Sequence, residues 1–262
     1  MCTLTVRFDP EDNVPVIVAA NRDELYSRLS APPSVIQTNP SILAPQDMEA
    51  GGTWLGVNEH GLLASVTNVW IEDGEGRTQG EVPTRSRGLL TLDALKCKDV
   101  AGARTVVQRA LRRDVYQFFN LLVATEEGGI IFAYAGKLTE YPLTRTGATI
   151  LNSPYYPEKH DVRRLPGLES GGDHPGRISA AWLREIKVYL SQHPDICKHG
   201  EIYGTRSSHI VLLSRRDRKT LKPLFGDRFW YAWGAPCETD FVDFSVQLQT
   251  MGTHEQVRDK EE

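Results

Sequence analysis

Cys2 brings together a nucleophile and its own base. Removal of Met1, which a small second residue permits, leaves a chain that begins with a thiol beside a free α-amine. An α-amine titrates near pH ~7.7–8.0, so it can take the thiol's proton and activate the sulfur on the same residue. The chemistry this suits is attack on an acyl carbon. Position 2 also serves as an ordinary first residue of a β-strand, so residues further along must decide between the two readings.

Several other chemistries lack their residues. Cys2, Cys97, Cys197 and Cys237 are far apart and have no CxxC spacing, which predicts free thiols in a reducing compartment rather than a disulfide framework or a zinc site. The seven histidines (His60, His160, His174, His193, His199, His209 and His254) form no paired motif, and no cysteine precedes a proline. His209 reads as a packed strand residue and His60 as a solvated turn residue. No metal site and no bound cofactor are expected. Neither a phosphate loop nor a GxGxxG run is present. A formal net charge of −4 over 262 residues gives no basic footprint for nucleic acid, and the cluster Arg215 to Lys219 reads as a solvated loop.

Elements that must position Cys2 follow from the patterning. Thr3–Phe8 and Val14–Ala20 flank the turn cluster Asp9-Pro10-Glu11-Asp12-Asn13, which predicts a hairpin. Residues 27–45 hold four prolines and read as an irregular surface crossing. A second hairpin is predicted over Thr53–Asn58 and Leu62–Asn68, turning at His60-Gly61, and Gly74–Pro83 reads as a polar loop. Helices are predicted over Ser86–Lys96, Val100–Arg113 and Arg177–Ser191, the last carrying Ile178, Trp182, Ile186 and Leu190 on one face. A short helix over Asp161–Leu165 and a loop over Gly167–Gly176 come before it. Strands are predicted at Phe118–Thr125, Ile130–Ala135, Ser208–Ser214 and Arg228–Trp233. Consecutive hairpins with helices set between groups of strands point to antiparallel sheets covered by helices, an α+β protein and not a βαβ repeat. One domain is expected over residues 1–252, with a charged, disordered tail at 253–262. With 40% apolar and 24% charged residues, and no apolar run of the length a bilayer needs, the chain reads as soluble, with the cytosol as default.

Short motifs, taken in order, identify a relative. Met1-Cys2-Thr3 opens a strand, Asn21-Arg22-Asp23-Glu24 ends the second, and Gly51-Gly52-Thr53-Trp54-Leu55-Gly56 follows. Val66-Thr67-Asn68, Ser86-Arg87-Gly88, Leu151-Asn152-Ser153-Pro154 and Gly204-Thr205-Arg206-Ser207-Ser208 complete the set. Together they resemble the NRDE-domain family, named also for transport and Golgi organisation, from Cys2 to about Trp233. That family is similar in turn to the thiol N-terminal nucleophile hydrolases, such as penicillin V acylase and bile-salt hydrolase. The resemblance implies a four-layer α/β/β/α sandwich with mostly antiparallel sheets.

It also implies site residues and partners. Cys2 matches the hydrolases' nucleophile, Asp23 their strand-end aspartate, Asn68 and Asn152 their asparagines, and Arg206 their late arginine. Arg22 would lower the thiol's pKa, Asp23 would hold the α-ammonium or the arginine, and Asn68 or Asn152 would donate to an oxyanion. Arg206 would hold a carboxylate or complete the charge network. The hydrolases carry an arginine three residues before their aspartate, where this chain has Ala20; Arg22 shares that strand face one step on. Ordinary readings stand beside these: an ion pair at a turn for Asn-Arg-Asp-Glu, and a turn residue for Asn152. Trp54, Trp70, Phe229, Trp230 and Trp233 read as core, or as the lining of an acyl pocket. The resemblance further implies Golgi organisation and secretion, lipid or acyl-coenzyme A homeostasis, and haem trafficking with haem as cargo. Three function readings follow: a thiol amidohydrolase or acyltransferase acting on a small acylated molecule, a non-catalytic carrier of a hydrophobic ligand, and a scaffold for secretory-pathway organisation that acts through protein partners. No transmembrane segment is expected, and peripheral association with Golgi or mitochondria would come from the resemblance alone.

Overall fold

The computed structural model describes residues 3–251 apart from 37, 74–75, 144, 146–147, 151–152, 158–179, 195, 218, 221 and 224–225. Cys2, Asn152, the predicted helix at Asp161–Leu165, the loop at Gly167–Gly176, residues 177–179 and the tail at 253–262 lie outside the described residues.

Two antiparallel sheets face each other. One contains β1 (Thr3–Phe8), β2 (Val16–Leu25), β12 (Ala148–Ile150), β13 (Tyr203–Leu213), β14 (Arg228–Trp233) and β15 (Val242–Asp243), in the order β12-β1-β2-β13-β14-β15. The other contains β3 (Ser30–Ile36), β4 (Ile42–Asp47), β5 (Leu55–Asn58), β6 (Leu63–Asn68), β9 (Phe119–Thr125), β10 (Gly128–Tyr134) and β11 (Leu138–Pro142), in the order β11-β10-β9-β6-β5-β4-β3. A small hairpin of β7 (Ile71–Asp73) and β8 (Gly76–Thr78) stands beside them. Helices α1 (Arg87–Leu95) and α2 (Val100–Arg113) cover the outer face of the seven-stranded sheet, and α3 (Ala180–Leu190) covers that of the six-stranded one. A short α4 (Ser245–Thr250) closes the described chain. The layers run α/β/β/α, as the motifs implied.

Alternation along each strand supplies two cores per sheet. On β2, Val16, Val18 and Ala20 face the other sheet with Leu4, Val6, Leu55, Val57 and Leu63. Ile17 and Ala19 face α3, against Trp182, Ile186 and Leu190. Apolar residues on both faces of a strand therefore mark a strand sandwiched between layers.

The Pro-rich stretch differs from the expected irregular crossing, because it contains β3 and β4. β3 is an edge strand, and its register with β4 shifts between Ala31 and Ser34, where Pro32 and Pro33 sit. A proline there costs no ladder bond, which is how a Pro-rich segment remains a strand. Likewise the polar loop at 74–83 is preceded and partly formed by the β7–β8 hairpin, and β13 begins at Tyr203, five residues before the predicted start.

Candidate functional site

Asn21-Arg22-Asp23-Glu24 ends β2 inside the sheet rather than at a turn, and alternation gives its four side chains separate work. Asn21 faces the α3 layer. Its Nδ2 donates to the Leu190 and Ile196 carbonyls at 2.8 and 3.0 Å, and its Oδ1 accepts from Ser208 Oγ at 2.7 Å. Leu190 ends α3, so Asn21 satisfies a carbonyl that the helix leaves without an intrahelical donor. Asp23 is buried on the same side, where its Oδ1 accepts from Thr205 Oγ1 at 2.7 Å. Burial raises the Asp23 pKa, and the hydrogen bond from Thr205 works against that rise.

Arg22 points the other way, between the sheets, on the face that Ala20 also occupies. The guanidinium is only 5% exposed, lies 4.2 Å above the Trp54 ring, and is 3.6 Å from Glu24 Oε2. Its Nη1 is buried with no hydrogen-bond partner. Glu24 also reaches Arg28 at 3.8 Å, and Arg28 donates to Asp47 at 2.7 Å.

Trp54 is placed by two glycine motifs that lock together. Gly51 adopts a left-handed φ of 69°, and a Cβ on Gly52 would lie 2.3 Å from the Gly88 carbonyl carbon. Only glycine lets the turn seat on the start of α1, where Thr53 N donates to the Gly88 carbonyl at 3.1 Å and Ser86 Oγ caps Gly88 N at 3.1 Å. The Trp54 carbonyl accepts from Val66 N at 2.9 Å and from Ser65 Oγ at 3.1 Å, and its indole Nε1 donates to His209 Nε2 at 2.8 Å.

His209 is fully buried against the Tyr231 ring, 5.0 Å between centroids. Burial first, and then the Arg22 charge, push its pKa down to about 3, so the imidazole is neutral. An indole N–H can only donate, so Nε2 carries no proton and Nδ1 does. Ser207 Oγ lies 3.1 Å from the same Nε2. Burial also pushes the Tyr231 hydroxyl up to about 12.

A cleft of about 560 Å³ opens between the sheet ends. Arg22, Trp54, Val66 and Asn68 line it, together with Trp70, Pro83, Arg85 and Arg87. The structure thus brings Arg22 and Asn68 to one cleft. Asp23 lies on the opposite face of Arg22's strand. Arg206 does not line the cleft: it is the extra residue where the β2–β13 register shifts, with its guanidinium 5.9 Å from the Tyr26 ring centroid and its Nε buried without a partner. Among the aromatics, Trp54 and Trp70 line the cleft, Phe229 and Trp230 are buried in the two cores, and Trp233 is exposed.

Two polar residues that pattern reading passed over support this arrangement. His209, read as packing, is a hydrogen-bond acceptor for Trp54. Asn120, a single polar residue in the apolar run of β9, donates to the Ser153 carbonyl at 2.8 Å and accepts from Tyr155 N at 3.1 Å. It fastens the segment that follows Asn152 to the seven-stranded sheet. A polar residue within an otherwise apolar strand was the available signal, because a buried amide must find partners.

Comparison with known proteins agrees with this architecture. Conjugated bile acid hydrolase from Clostridium perfringens, in the structure of a variant, superposes with a TM-score of 0.52 at 11% identity, covering 94% of this chain and 93% of that one. At that identity the likeness concerns the fold. The human transport and Golgi organization protein 2 homolog is 34% identical over 253 residues, covering 81% of this chain and 88% of that protein. The mouse transport and Golgi organization 2 homolog is 31% identical over 286 residues, covering 94% and 100%. Residues 1–153 match the family described as Transport and Golgi organisation 2. With that match over more than half its length and the human relative at this identity, the chain belongs to the Transport and Golgi organisation 2 family.

Proposed function

We propose that this chain is a thiol amidohydrolase or acyltransferase that admits a small acylated molecule to the cleft and uses Cys2 as its nucleophile. The observation that carries this reading is Arg22. A guanidinium this buried, with an unpartnered Nη1 and only a 3.6 Å carboxylate contact, is a cation in want of an anion. Thr3 pairs with Asn21, so Arg22 lies one residue beyond the partner of the first described residue of β1. The proposal requires the Cys2 thiol to reach the cleft face of β2, on which Arg22 lies.

The chemistry follows from these neighbours. Arg22 lowers the thiol's pKa. The α-amine takes the thiol proton as sulfur attacks the acyl carbon, and the carbonyl electrons move onto oxygen. Asn68 donates its side-chain N–H to that oxyanion, an interaction worth about 2.7–4 kcal/mol, with Asn152 as a second donor. The ammonium then protonates the leaving amine or thiol, and Cys2 is left as a thioester. Water, or another acceptor, attacks the thioester while the amine accepts its proton, which restores the thiol. Asp23 holds the α-ammonium, while Arg206, which does not line the cleft, takes no part in this reading. Trp54, Trp70, Val66 and Pro83 suit the acyl part, and Arg85 and Arg87 suit an anionic head.

The same aromatic lining supports a second reading, a carrier that holds an acyl lipid without turning it over. Haem fits the cleft less well. Among its described lining residues Tyr203 alone is of an axial-ligand type, and its hydroxyl donates to the Asp23 carbonyl at 2.9 Å. No helix among the described residues is long and apolar enough to cross a membrane. The names of the human and mouse relatives support a place for either activity in Golgi organisation.

Intact mass of the purified chain, before and after a panel of reactive amides and thioesters, tests the proposal. Loss of Met1 and an acyl adduct that vanishes in Cys2→Ala are expected. Retained Met1, or no adduct with any acyl donor, ends the catalytic reading. A lipid retained by the Cys2→Ala protein with no adduct on the parent would select the carrier.

A further inference from the structure

Away from the cleft, on the α3 side of the six-stranded sheet, four side chains of metal-binding type converge. His193, Cys197 and His199 come from the segment after α3, and Cys237 from the turn after β14. One ligand atom from each lies within 4.8 Å of all the others. Cys197 Sγ is 3.6 Å from Cys237 Sγ and 3.6 Å from His199 Nε2, and His199 Nε2 is 3.1 Å from Cys237 Sγ. A tetrahedral zinc with its usual bond lengths requires edges of about 3.8 Å between two sulfurs and about 3.6 Å between sulfur and nitrogen. The Cys197–Cys237 and Cys197–His199 edges agree with those to within a few tenths of an ångström, and the His199–Cys237 edge is shorter, at 3.1 Å.

The backbone holds this geometry independently of any ion. Ile196 N and Cys197 N both donate to the Gln192 carbonyl, at 3.0 and 2.8 Å, which turns the chain so that Cys197 comes back near His193. Lys198 and Thr205 exchange hydrogen bonds at 2.9 Å, fixing His199 against the start of β13. Glu238 N and Thr239 N both donate to the Ala235 carbonyl, at 3.0 and 3.1 Å, and this turn presents Cys237. His199 directs Nε2 at the thiols, while its Nδ1 lies 3.4 Å from Glu238 Oε1. A carboxylate on the outer nitrogen is the arrangement that orients a ligating imidazole and fixes its tautomer.

We propose that His193, Cys197, His199 and Cys237 form a structural Zn²⁺ site. Two thiolates and two imidazoles in a tetrahedron select zinc over the oxygen-seeking cations, and four protein ligands leave no open position for catalysis. The ion would staple the segment after α3 to the turn after β14. It would thereby stiffen Thr205, which holds Asp23, and the carbonyls clamped by Asn21. Pattern reading sought paired CxxC spacings. Here three ligands are packed as His-x3-Cys-x-His, and the fourth comes from another part of the chain.

The test uses the full chain, without a histidine tag, reduced and stripped of metal, and titrated with Co²⁺ and then with Zn²⁺. One equivalent of Co²⁺ should bind, with the strong visible bands of tetrahedral cobalt and a thiolate charge-transfer band, and one equivalent of Zn²⁺ should displace it. Cys237→Ser should weaken binding by more than about a hundredfold and Glu238→Gln by about tenfold. Cys97→Ser, which lies outside the cluster, should bind as the parent does. Cys237 and Glu238 are exposed, so these variants should fold; circular dichroism of the metal-free proteins checks that. A reduced parent protein that takes up no cobalt, or shows weak octahedral bands without charge transfer, overturns the proposal whatever the variants do. So does a Cys197→Ser, Cys237→Ser double variant with an unchanged spectrum.

Discussion

His209 should make this protein lose stability in mild acid, and the size of the loss can be worked out. The imidazole is buried beside Trp54, Tyr231 and the Arg22 guanidinium, and its pKa falls from 6.5 to about 3 on folding. The folded pKa is depressed, so between those two values the unfolded chain binds the extra proton. Stability is therefore complete above about pH 6.5 and declines as the pH falls towards about 3. At about pH 5 the unfolded imidazole is almost wholly charged and the folded one almost wholly neutral, which costs about 2 kcal/mol relative to about pH 7. Asp23 titrates with the opposite sign, because a raised carboxyl pKa loses its contribution as pH rises. It faces the other side of β2, so it cancels in a comparison between variants.

The comparison is with His209→Gln, whose amide oxygen can still accept from Trp54 Nε1 and which does not titrate. Urea midpoints and slopes would be measured for both proteins at about pH 7 and about pH 5. The parent should lose about 2 kcal/mol more than the variant over that interval. Equal losses would refute the argument, because they would mean that His209 is charged in the fold or exchanges its proton with solvent.

Three further perturbations test other joints. Gly52→Ala places a carbon 2.3 Å from the Gly88 backbone and should destabilise by about 1–3 kcal/mol or more in denaturant melts, whereas Gly128→Ala, whose Cβ meets nothing within 4 Å, should cost less than about 1 kcal/mol. Asn21→Ala removes the Nδ2 donor from two carbonyls and the Oδ1 acceptor from Ser208, and should cost about 2–3 kcal/mol; hydrogen exchange should quicken around Leu190 and Ile196 first. Arg22→Gln should raise the apparent pKa for alkylation of Cys2 by about one unit or more and slow the reaction near neutral pH, whereas an unchanged pH–rate profile would remove Arg22 from the thiol's surroundings.

What was legible in the sequence depended on whether the signal was local. The helix bounds at Val100–Arg113 follow from the apolar spacing, to which the structure adds an Asp99 cap on Gly102 N, and β14 follows from a compact β-prone run. The strands at 30–47 were hidden because proline normally argues against a strand. What admits it is an edge position and a register shift, and both are properties of the sheet. The motif residues were legible as a set, and alternation placed Arg22 on the face of Ala20, yet what each residue met across the sheet was not legible. Asp23 and Arg22 are adjacent in sequence and separated by a sheet in space. His209 and Trp54 are 155 residues apart and joined by one hydrogen bond, which no spacing rule could suggest.

Facing explains why the Asn-Arg-Asp-Glu and Gly-Thr-Arg-Ser-Ser motifs accompany each other. On β13, Ser207 and His209 face the cleft side and Ser208 faces α3 with Asn21. Unbroken alternation would send Thr205 to the cleft side and set Arg206 opposite Asp23. The register shift between Thr205 and Ser207 inserts Arg206 and reverses the parity, so Thr205 reaches Asp23 on the α3 side. One extra residue therefore lets a single pair of strands clamp the α3 side with Asn21 and Asp23 while offering Arg22 to the cleft. Deleting Arg206 should close the bulge into a regular ladder in which Thr205, now next to Ser207, still meets Asp23 on the α3 side. Its cost in urea melts should therefore stay close to that of Arg206→Ala, and a far larger loss would refute this account of the register shift.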